Sequence, residues 1–311
     1  MAKKKKTVLV LGAGASHGYG FPVGSGLRRE ILALRDNSRV SEVLEFGQTT
    51  IRNFVDAFKM AQSYSIDAFL ARRQELSKVG RAAIAYVLLR CEGKADLFNE
   101  EQADHWYQYL LSELVADDWE SFDPSWLSIV TFNYDRSLET FLCRSMQEIY
   151  SKTAEEVWER LSKLRIVHVY GSIGEAQPCP THVPFGGIAD DVFDLAVKAS
   201  ASRLVVIPEG RDDAPSVAMA QELTNEAKRV CFLGFGFDEV NVRRLGAIDN
   251  FVNSPGRLPK KVVATCLGMT PAEANRAAVR VCGVTTDHYA LRDAFRAVNC
   301  ISLLRETLIL D

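Results

Sequence analysis

The sequence lacks the cysteine pattern of a disulfide framework or of a structural zinc site. Its 311 residues include seven cysteines, an odd number, which are widely spaced and form no Cys-x-x-Cys pair. Small disulfide scaffolds and four-cysteine zinc sites need closely spaced pairs, and the single neighbouring pair Cys179 and His182 does not supply a zinc ligand set. We therefore expect no zinc module and no metal site, and thiols that stay reduced in the cytoplasm.

Long apolar runs and an excess of charge of one sign are also missing. No apolar run approaches the roughly 18 residues of a membrane span, and the run at 8–11 is shorter than a secretory signal needs. With 37 basic and 40 acidic residues, the formal net charge is −3, which argues against nucleic-acid binding driven by bulk charge. These absences indicate a cytoplasmic protein without membrane or direct nucleic-acid partners.

What the sequence does contain is an alternation of strand-like and helix-like segments. Hydrophobic residues make up 47% and charged residues 25% of the chain, which is typical of a globular fold. Six short apolar runs are typical of buried parallel strands; they lie at 7–11, 127–132, 165–170, 204–207, 230–233 and, more weakly, 261–266. Helix-like stretches between them predict an α/β fold with a parallel Rossmann-like sheet of about six strands and helices on both faces.

The long interval after the first strand predicts an all-helical insertion. It contains no convincing strand, and apolar residues such as Phe54 and Phe58 recur at helical spacing. Elsewhere, capping boxes at 153–156 and 270–273 indicate two helix starts. We predict one domain over the whole chain, made of the following parts: a Rossmann-like core at 1–30 and 120–270, a helical insertion at 31–119, and a C-terminal helix and tail at 271–311.

A glycine-rich or polar turn follows each of the first five predicted strands. In chain order the turns are Gly12-Ala13-Gly14-Ala15-Ser16, Asn133-Tyr134-Asp135, His168-Val169-Tyr170-Gly171-Ser172, Pro208-Glu209-Gly210 and Gly234-Phe235-Gly236-Phe237-Asp238. Ligands of open parallel sheets bind in the crevice outside the carboxyl ends of the strands. We therefore expect these turns to converge on one ligand site.

The first turn favours the diphosphate of a dinucleotide. Glycine at Gly12 and Gly14 lets the backbone approach a phosphate closely, and the next helix would offer free N–H groups. The strict Gly-x-Gly-x-x-Gly pattern is not met, because His17 occupies the third glycine position and no acidic strand end follows to bind a ribose. A tight turn without a ligand is the alternative interpretation.

Two pairs of side chains are candidates for the chemistry of the site. Asn133 and Asp135 are two residues apart and share a face of an extended chain, where an amide and a carboxylate suit ribose hydroxyls and a bound water. His168 and Tyr170 share a face in the same way. Two alternatives stay open, since Asp135 also suits a helix cap and His168 also suits a hydrogen-bonded position in the core.

These motifs together resemble the sirtuin-like superfamily, specifically the bacterial sirtuin-like NAD hydrolases of anti-phage defence. The resemblance runs in family order from about residue 8 to residue 245, with no specific match in the insertion. The matching segments are Leu11 to Ser16 with Gly20-Phe21-Pro22, then Thr131-Phe132-Asn133-Tyr134-Asp135, Tyr170-Gly171-Ser172, and Gly234 to Asp238 with Asn241. The chain departs from the family in two ways. It lacks the zinc module of deacetylating members, and Tyr170 stands where the catalytic histidine directly precedes Gly-Ser.

The resemblance implies hydrolysis of the nicotinamide–ribose bond, with NAD+ as substrate and without a metal. Asn133 would bind the ribose and position a water, and His168 or Tyr170 would orient the ribose or accept a proton. The other residues that the resemblance assigns to NAD+ binding, mainly to its diphosphate and adenosine parts, are Gly12, Ala13, Gly14, Ala15, Ser16, Pro22, Asp135, Gly171, Ser172, Gly234, Gly236 and Asn241.

Other functions and a need for control also follow from the resemblance. The tyrosine before Gly-Ser favours a non-catalytic module for NAD+ or ADP-ribose, and a protein ADP-ribosyltransferase or deacylase is a further alternative. An unrestrained NAD+ glycohydrolase would drain its own cell of NAD+. The resemblance therefore implies activity restricted to stress such as phage infection, with control by homo-oligomerisation or by a partner such as a helicase-type ATPase.

Overall fold

A six-stranded parallel sheet forms the centre of the molecule. The computed structural model describes residues 4–43, 46–63, 65–175, 183–186, 188–208, 213–246, 260–283, 285–287, 291 and 293–311. The strands are β1 Thr7–Leu11, β2 Leu127–Thr131, β3 Arg165–His168, β4 Arg229–Leu233, β5 Lys261–Thr265 and β6 Phe295–Arg296. Every pair of neighbouring strands is parallel.

The strand order creates a reversal point beside β1. The order across the sheet is β3-β2-β1-β4-β5-β6, and β1 is buried along its whole length. In the register of the sheet, Leu11 pairs with Thr131 on one side and with Leu233 on the other. The chain thus builds outward from β1 to β3 and then in the opposite direction from β4 to β6. This strand order confirms the predicted α/β Rossmann-like fold. Doubly wound sheets bind ligands at this kind of reversal.

Helices cover the two faces of the sheet. In chain order they are α1 Gly14–His17, α2 Gly24–Leu32, α3 Ser38–Val43, α4 Gln48–Met60, α5 Ile66–Arg72, α6 Ser77–Glu92, α7 Trp106–Leu114, α8 Ser137–Tyr150, α9 Ala154–Leu161, α10 Phe193–Arg203, α11 Pro215–Glu226, α12 Glu239–Arg244, α13 Pro271–Cys282 and α14 Cys300–Thr307, with a 3₁₀ turn at Gln74–Leu76. Both predicted capping boxes are present, at the starts of α9 and α13. No helix in the described ranges combines the length and the apolar content needed to cross a bilayer.

The segment between β1 and β2 is helical, which confirms the predicted secondary structure of the insertion. It holds α1 to α7, of which α3 to α7 lie within the predicted insertion at 31–119, and its described residues form no strand. Helix α6 is its centre and is buried on most sides, including the continuous stretch from Ala82 to Leu89. A helix that is apolar nearly all round belongs in an interior, and α6 packs between α2, α4, α5 and α10.

A buried ion pair joins this insertion to the loop after β2. Arg136 donates from Nε to Oε1 of Glu92 and from Nη2 to Oε2, both at 3.0 Å. The two side chains are 1% and 0% exposed, and the guanidinium also donates to the carbonyl groups of Glu175 and Val183. Both charges therefore have hydrogen-bonded partners, and the pair holds α6 against the carboxyl end of the sheet.

The prediction of a strand at 204–207 is wrong. Residues 204–207 are buried in part, but they form no ladder. They run past the end of β3 with one backbone bond, from the Val205 amide to the Tyr170 carbonyl at 2.8 Å. The carbonyl groups at 204 and 207 instead accept hydrogen bonds from arginine side chains. The sixth strand is the two-residue β6, which lies in the tail that the sequence left unassigned.

Candidate functional site

The carboxyl ends of β1, β2, β4 and β5 surround one cavity of about 750 Å³. Its wall also includes residues of the helical insertion and of the tail before α14. A concave site of this size is typical for a small molecule or cofactor. The structure brings ten of the predicted binding and catalytic residues to its wall: Gly12, Ala13, Gly14, Ser16, Pro22, Asn133, Asp135, Gly234, Gly236 and Asn241.

The glycines after β1 and β4 are required by the close approach of the two turns. A Cβ on Gly12 would lie 2.6 Å from the Gly234 carbonyl oxygen, and one on Gly234, where φ is +57°, would lie 2.1 Å from the Ala15 nitrogen. The Gly12 amide donates to the carbonyl of Leu233, the last residue of β4, and the Gly14 amide donates to the Gly234 carbonyl, both at 3.0 Å, while the Ala15 amide donates to the Gly12 carbonyl. These three donors are used within the protein, so the tight-turn interpretation accounts for much of this motif.

Gly236 has a different environment from those glycines. It lines the cavity, and a Cβ built on it would meet no heavy atom of the described residues within 4 Å. Internal packing therefore does not require glycine here, whereas a ligand lying against the backbone would. The next polar residue, Asp238, caps α12 by accepting hydrogen bonds from the amides of Val240 and Asn241 at 2.9 and 3.4 Å.

Asn133 lies two residues after the end of β2, with its side-chain amide held in one orientation. Its Nδ2 donates to the Gly12 carbonyl at 3.0 Å and to the Ser16 hydroxyl at 3.3 Å. Its Oδ1 is buried and has no hydrogen-bond partner among the described residues. Leaving a buried acceptor unpaired costs roughly 1–3 kcal/mol. A ribose hydroxyl or a bound water in the cavity would supply the donor that this oxygen lacks.

Asp135 lines the cavity and also stabilises the start of α8. Its Oδ1 accepts hydrogen bonds from the hydroxyl of Ser137 and from the Ser137 amide, the latter at 3.2 Å. Burial raises the pKa of this carboxyl, against the hydrogen bonds from Ser137 and Ser16 that lower it. The structure therefore supports the helix-start interpretation of Asp135 and places it at the predicted site as well.

His168 lies beneath the Asn133 turn and is not among the residues that line the cavity. Its Nδ1 is 3.0 Å from the Asn133 carbonyl oxygen, and its Nε2 is 2.6 Å from Oε1 of Glu139. Burial favours the neutral ring, but the negative charge and hydrogen bond of Glu139 outweigh it, and the pKa of His168 is raised. Both ring nitrogens thus have protein partners, and the ring fixes the backbone that presents Asn133.

Tyr170 is also buried outside the main cavity, beside Asn241. Its hydroxyl donates to Oδ1 of Asn241 at 2.5 Å and accepts from Nη1 of Arg244 at 2.6 Å. Burial raises the pKa of the phenol far above neutrality, so it keeps its proton. Tyr170 lines a small adjoining pocket instead, together with Asp67 and Arg244, and its contact orients the Asn241 side chain.

Three further predicted binding residues do not reach the cavity wall. A Cβ on Gly171, where φ is +73°, would lie 2.1 Å from the Arg203 carbonyl oxygen, so glycine is needed there for packing. The Ser172 hydroxyl donates to a carbonyl group two residues further on. Ala15 is buried, and its carbonyl accepts from the Trp106 indole at 2.7 Å. All three residues shape the turns that carry the site.

The sequence pattern did not indicate two carboxylates of the insertion that line the cavity, Asp67 and Asp104. Asp104 accepts hydrogen bonds from the amides of Cys300 and Ile301 at 3.1 and 2.8 Å, and so caps α14. Asp67 lies in the first turn of α5 and accepts from the hydroxyl of Tyr134. No motif marks either residue, because their positions depend on how the insertion folds back onto the sheet.

The described residues give no sign of a metal centre. They contain no group of three or more His, Cys, Asp or Glu side chains placed to hold an ion, and their cysteines are free thiols. Cys179 and His182 lie outside the described residues, as do Glu209 and Gly210 of the turn after the fourth predicted strand.

Comparison with known proteins adds no family to this picture. No protein-family model matches the chain. No curated protein matches it either.

Proposed function

We propose that this protein is a sirtuin-like NAD+ glycohydrolase, which cleaves the nicotinamide–ribose bond and releases nicotinamide and ADP-ribose. The observation that carries the proposal is the buried Oδ1 of Asn133, which has no hydrogen-bond partner among the described residues, on a residue that lines a cavity of about 750 Å³ at the reversal point of a Rossmann-like sheet. Dinucleotides bind at this point in doubly wound sheets. The motif resemblance supports the choice of NAD+ among dinucleotides.

Cleavage of the nicotinamide–ribose bond depends more on the positioning of the ribose and the water than on acid catalysis. The nicotinamide of NAD+ is a cationic pyridinium, so it takes the electron pair of the breaking C1′–N1 bond and leaves as a neutral molecule. The ribose gains oxocarbenium character, and a water oxygen bonds to C1′. Holding the reactants in line supplies several kcal/mol of the barrier reduction. The Oδ1 of Asn133 accepts from a ribose hydroxyl or from this water, while Nδ2 is anchored on Gly12 and Ser16.

The remaining cavity wall suits the rest of the dinucleotide. In our proposal the diphosphate lies along the turn that includes Ala13 and Ser16, and the adenosine lies toward Gly236 and Asn241. The amides of Gly12, Gly14 and Ala15 donate to backbone carbonyl groups of the protein. In our proposal, hydrogen bonds from the first turn to the diphosphate therefore come from other residues of that turn. Gly236 offers open space against its backbone, as a ligand contact requires.

Release of nicotinamide from NAD+ tests the proposal. The purified protein should release nicotinamide and ADP-ribose, and Asn133→Ala should abolish release while keeping its unfolding transition. Asn53→Ala is the matched control, because Asn53 is exposed on α4 and should turn over as the wild type does. Undiminished release by Asn133→Ala would contradict the assignment of Asn133.

A second candidate is a module that binds NAD+ or ADP-ribose without cleaving it. It is favoured by the placement of His168 and Tyr170, whose polar atoms contact Asn133, Glu139, Asn241 and Arg244 rather than the cavity. This candidate predicts heat of binding with NAD+ in calorimetry but no nicotinamide after long incubation. The glycohydrolase predicts both.

We also propose that the protein acts in the cytoplasm, in NAD+-depleting anti-phage defence, under control by homo-oligomerisation or by a helicase-type ATPase. Free thiols at the described cysteines suit a reducing compartment. The need for control follows from the cost of uncontrolled NAD+ loss to the cell. Light scattering alongside the nicotinamide assay tests whether release appears only in an oligomer.

A further inference from the structure

Hydrolysis of the nicotinamide–ribose bond releases a proton from the attacking water, which a base near the cavity could accept. Most polar side chains near the cavity already form hydrogen bonds within the protein. The phenol of Tyr170 keeps its proton, and both nitrogens of His168 have protein partners. Asp104 and Asp238 accept hydrogen bonds from backbone amides at helix starts, and Asp135 does so at the start of α8. Each of these five residues therefore already has a structural contact within the protein.

Asp67 differs from the other carboxylates in its contacts and its placement. It lines both the main cavity and the small pocket beside Tyr170. Its Oδ1 accepts from the hydroxyl of Tyr134, the residue that follows Asn133, and its Oδ2 accepts from the Ser65 hydroxyl at a long distance of 3.4 Å. The insertion thus delivers a carboxylate to the wall that carries Asn133, with one oxygen held weakly.

We infer that Asp67 is the catalytic residue that accepts the proton of the attacking water. This inference rests on the proposed glycohydrolase function. In the step, the water oxygen bonds to C1′ of the ribose and the C1′–N1 bond breaks with its electron pair on nicotinamide. The proton lost by the water moves to the carboxylate of Asp67.

The electrostatic surroundings of Asp67 suit a base that works near neutral pH. Burial raises the pKa of Asp67 to about 7, and the positive charge of Arg244 and the negative charge of Asp238 act in opposite directions. The other groups around it are the hydroxyl of Tyr134, the phenol of Tyr170 and, on its own helix, Arg72. A carboxylate of this kind accepts a proton and gives it up again at physiological pH.

The test is the pH profile of kcat for nicotinamide release by the full-length protein. For the wild type, kcat should rise as the pH increases through about 7, because the base works when ionised. In Asp67→Asn, kcat should fall about 10²- to 10⁴-fold with KM near the wild-type value, and this rise should disappear. Asp56→Asn is the matched control, since Asp56 lies on the exposed side of α4 in a pair with Arg35, and it should keep the wild-type profile.

A second variant keeps the carboxylate and changes only its hydrogen bond. Tyr134→Phe removes the donor to Asp67, so the midpoint of the pH profile should move to higher pH while the plateau of kcat stays within about tenfold. An Asp67→Asn variant that keeps the wild-type kcat and profile, or that raises KM alone, would overturn the role of Asp67 and leave the glycohydrolase standing. A wild type that releases no nicotinamide would overturn both.

Discussion

Replacing Gly236 with alanine separates a glycine that a ligand requires from glycines that the fold requires. Gly236 lines the cavity, and in the part of the chain that the structure describes a new Cβ would have no heavy atom within 4 Å. Its φ is not in the left-handed region, so alanine fits the backbone among the described residues and lowers the entropy of the unfolded chain. We expect the free energy of unfolding to stay unchanged or to rise by up to about 1 kcal/mol.

The same methyl group should weaken NAD+ binding if the dinucleotide lies against this turn. We expect at least a tenfold rise in Kd, which corresponds to about 1.4 kcal/mol. Gly12→Ala is the matched variant with the opposite outcome. Its Cβ would lie 2.6 Å from both the Gly234 carbonyl oxygen and the Phe235 Cα, and the forced backbone shift should cost about 1–3 kcal/mol of stability.

Two measurements on each variant decide the matter, a thermal unfolding transition and a calorimetric titration with NAD+. Gly236→Ala should unfold at or above the wild-type temperature and bind weakly, whereas Gly12→Ala should unfold several degrees lower. Wild-type affinity in a folded Gly236→Ala variant would refute the placement of the ligand against this turn. A Gly12→Ala variant of wild-type stability would refute the packing explanation of the first glycine.

Two further predictions concern the buried charges around the site. Glu92→Gln leaves the guanidinium of Arg136 buried without its counter-charge, and the free energy of unfolding in urea should fall by about 3–5 kcal/mol. An unchanged free energy would contradict a stabilising role of this ion pair. Burial lowers the pKa of His168, but the charge and hydrogen bond of Glu139 raise it further, so the net pKa in the folded protein is raised. Protonated His168 should therefore stabilise the fold fully below the pKa of the unfolded chain, about 6.5, and this stabilisation should be lost as the pH rises through the pKa of the folded protein. The stability gap between wild type and His168→Gln should therefore be larger near about pH 5.5 than near about pH 9, and a gap independent of pH would contradict it.

The sequence predicted those parts of the fold that leave a continuous local pattern. A strand buried on both faces, such as β1, is an unbroken apolar run, and capping boxes mark helix starts directly. Residues 204–207 have the same composition but are only partly buried and form no ladder, and arginine side chains donate to the carbonyl groups at 204 and 207. The two residues of β6 are too few to form a pattern.

The candidate site was predictable where its residues are tied to strand ends. Asn133 lies two residues after the end of β2, so topology alone brings it to the Gly12 turn, where its amide is anchored. The sequence showed that His168 and Tyr170 share a face but not that Glu139 and Asn241 occupy their polar atoms. Such partners are distant in the chain, and only the folded coordinates bring them together.

The position of Asp67 in the cavity wall could not be predicted from the sequence for the same reason. It lies in an insertion without a recognisable motif, and its place in the cavity wall follows from the packing of α5 on α6 and from the contact of Asp67 with Tyr134. The mutual contact of Gly12 and Gly234 also needs coordinates, since the sequence shows two glycine turns but not that they touch.

The most direct test of the central claim is a crystal structure with a carbocyclic analogue of NAD+ whose nicotinamide linkage cannot be hydrolysed. The account predicts the analogue in the cavity at the reversal point, with a hydroxyl of the nicotinamide-side ring or a bound water about 3 Å from Oδ1 of Asn133. Density for the analogue elsewhere, for instance in the neighbouring cavity lined by Arg90 and Lys94, with Asn133 Oδ1 still unpartnered, would contradict it.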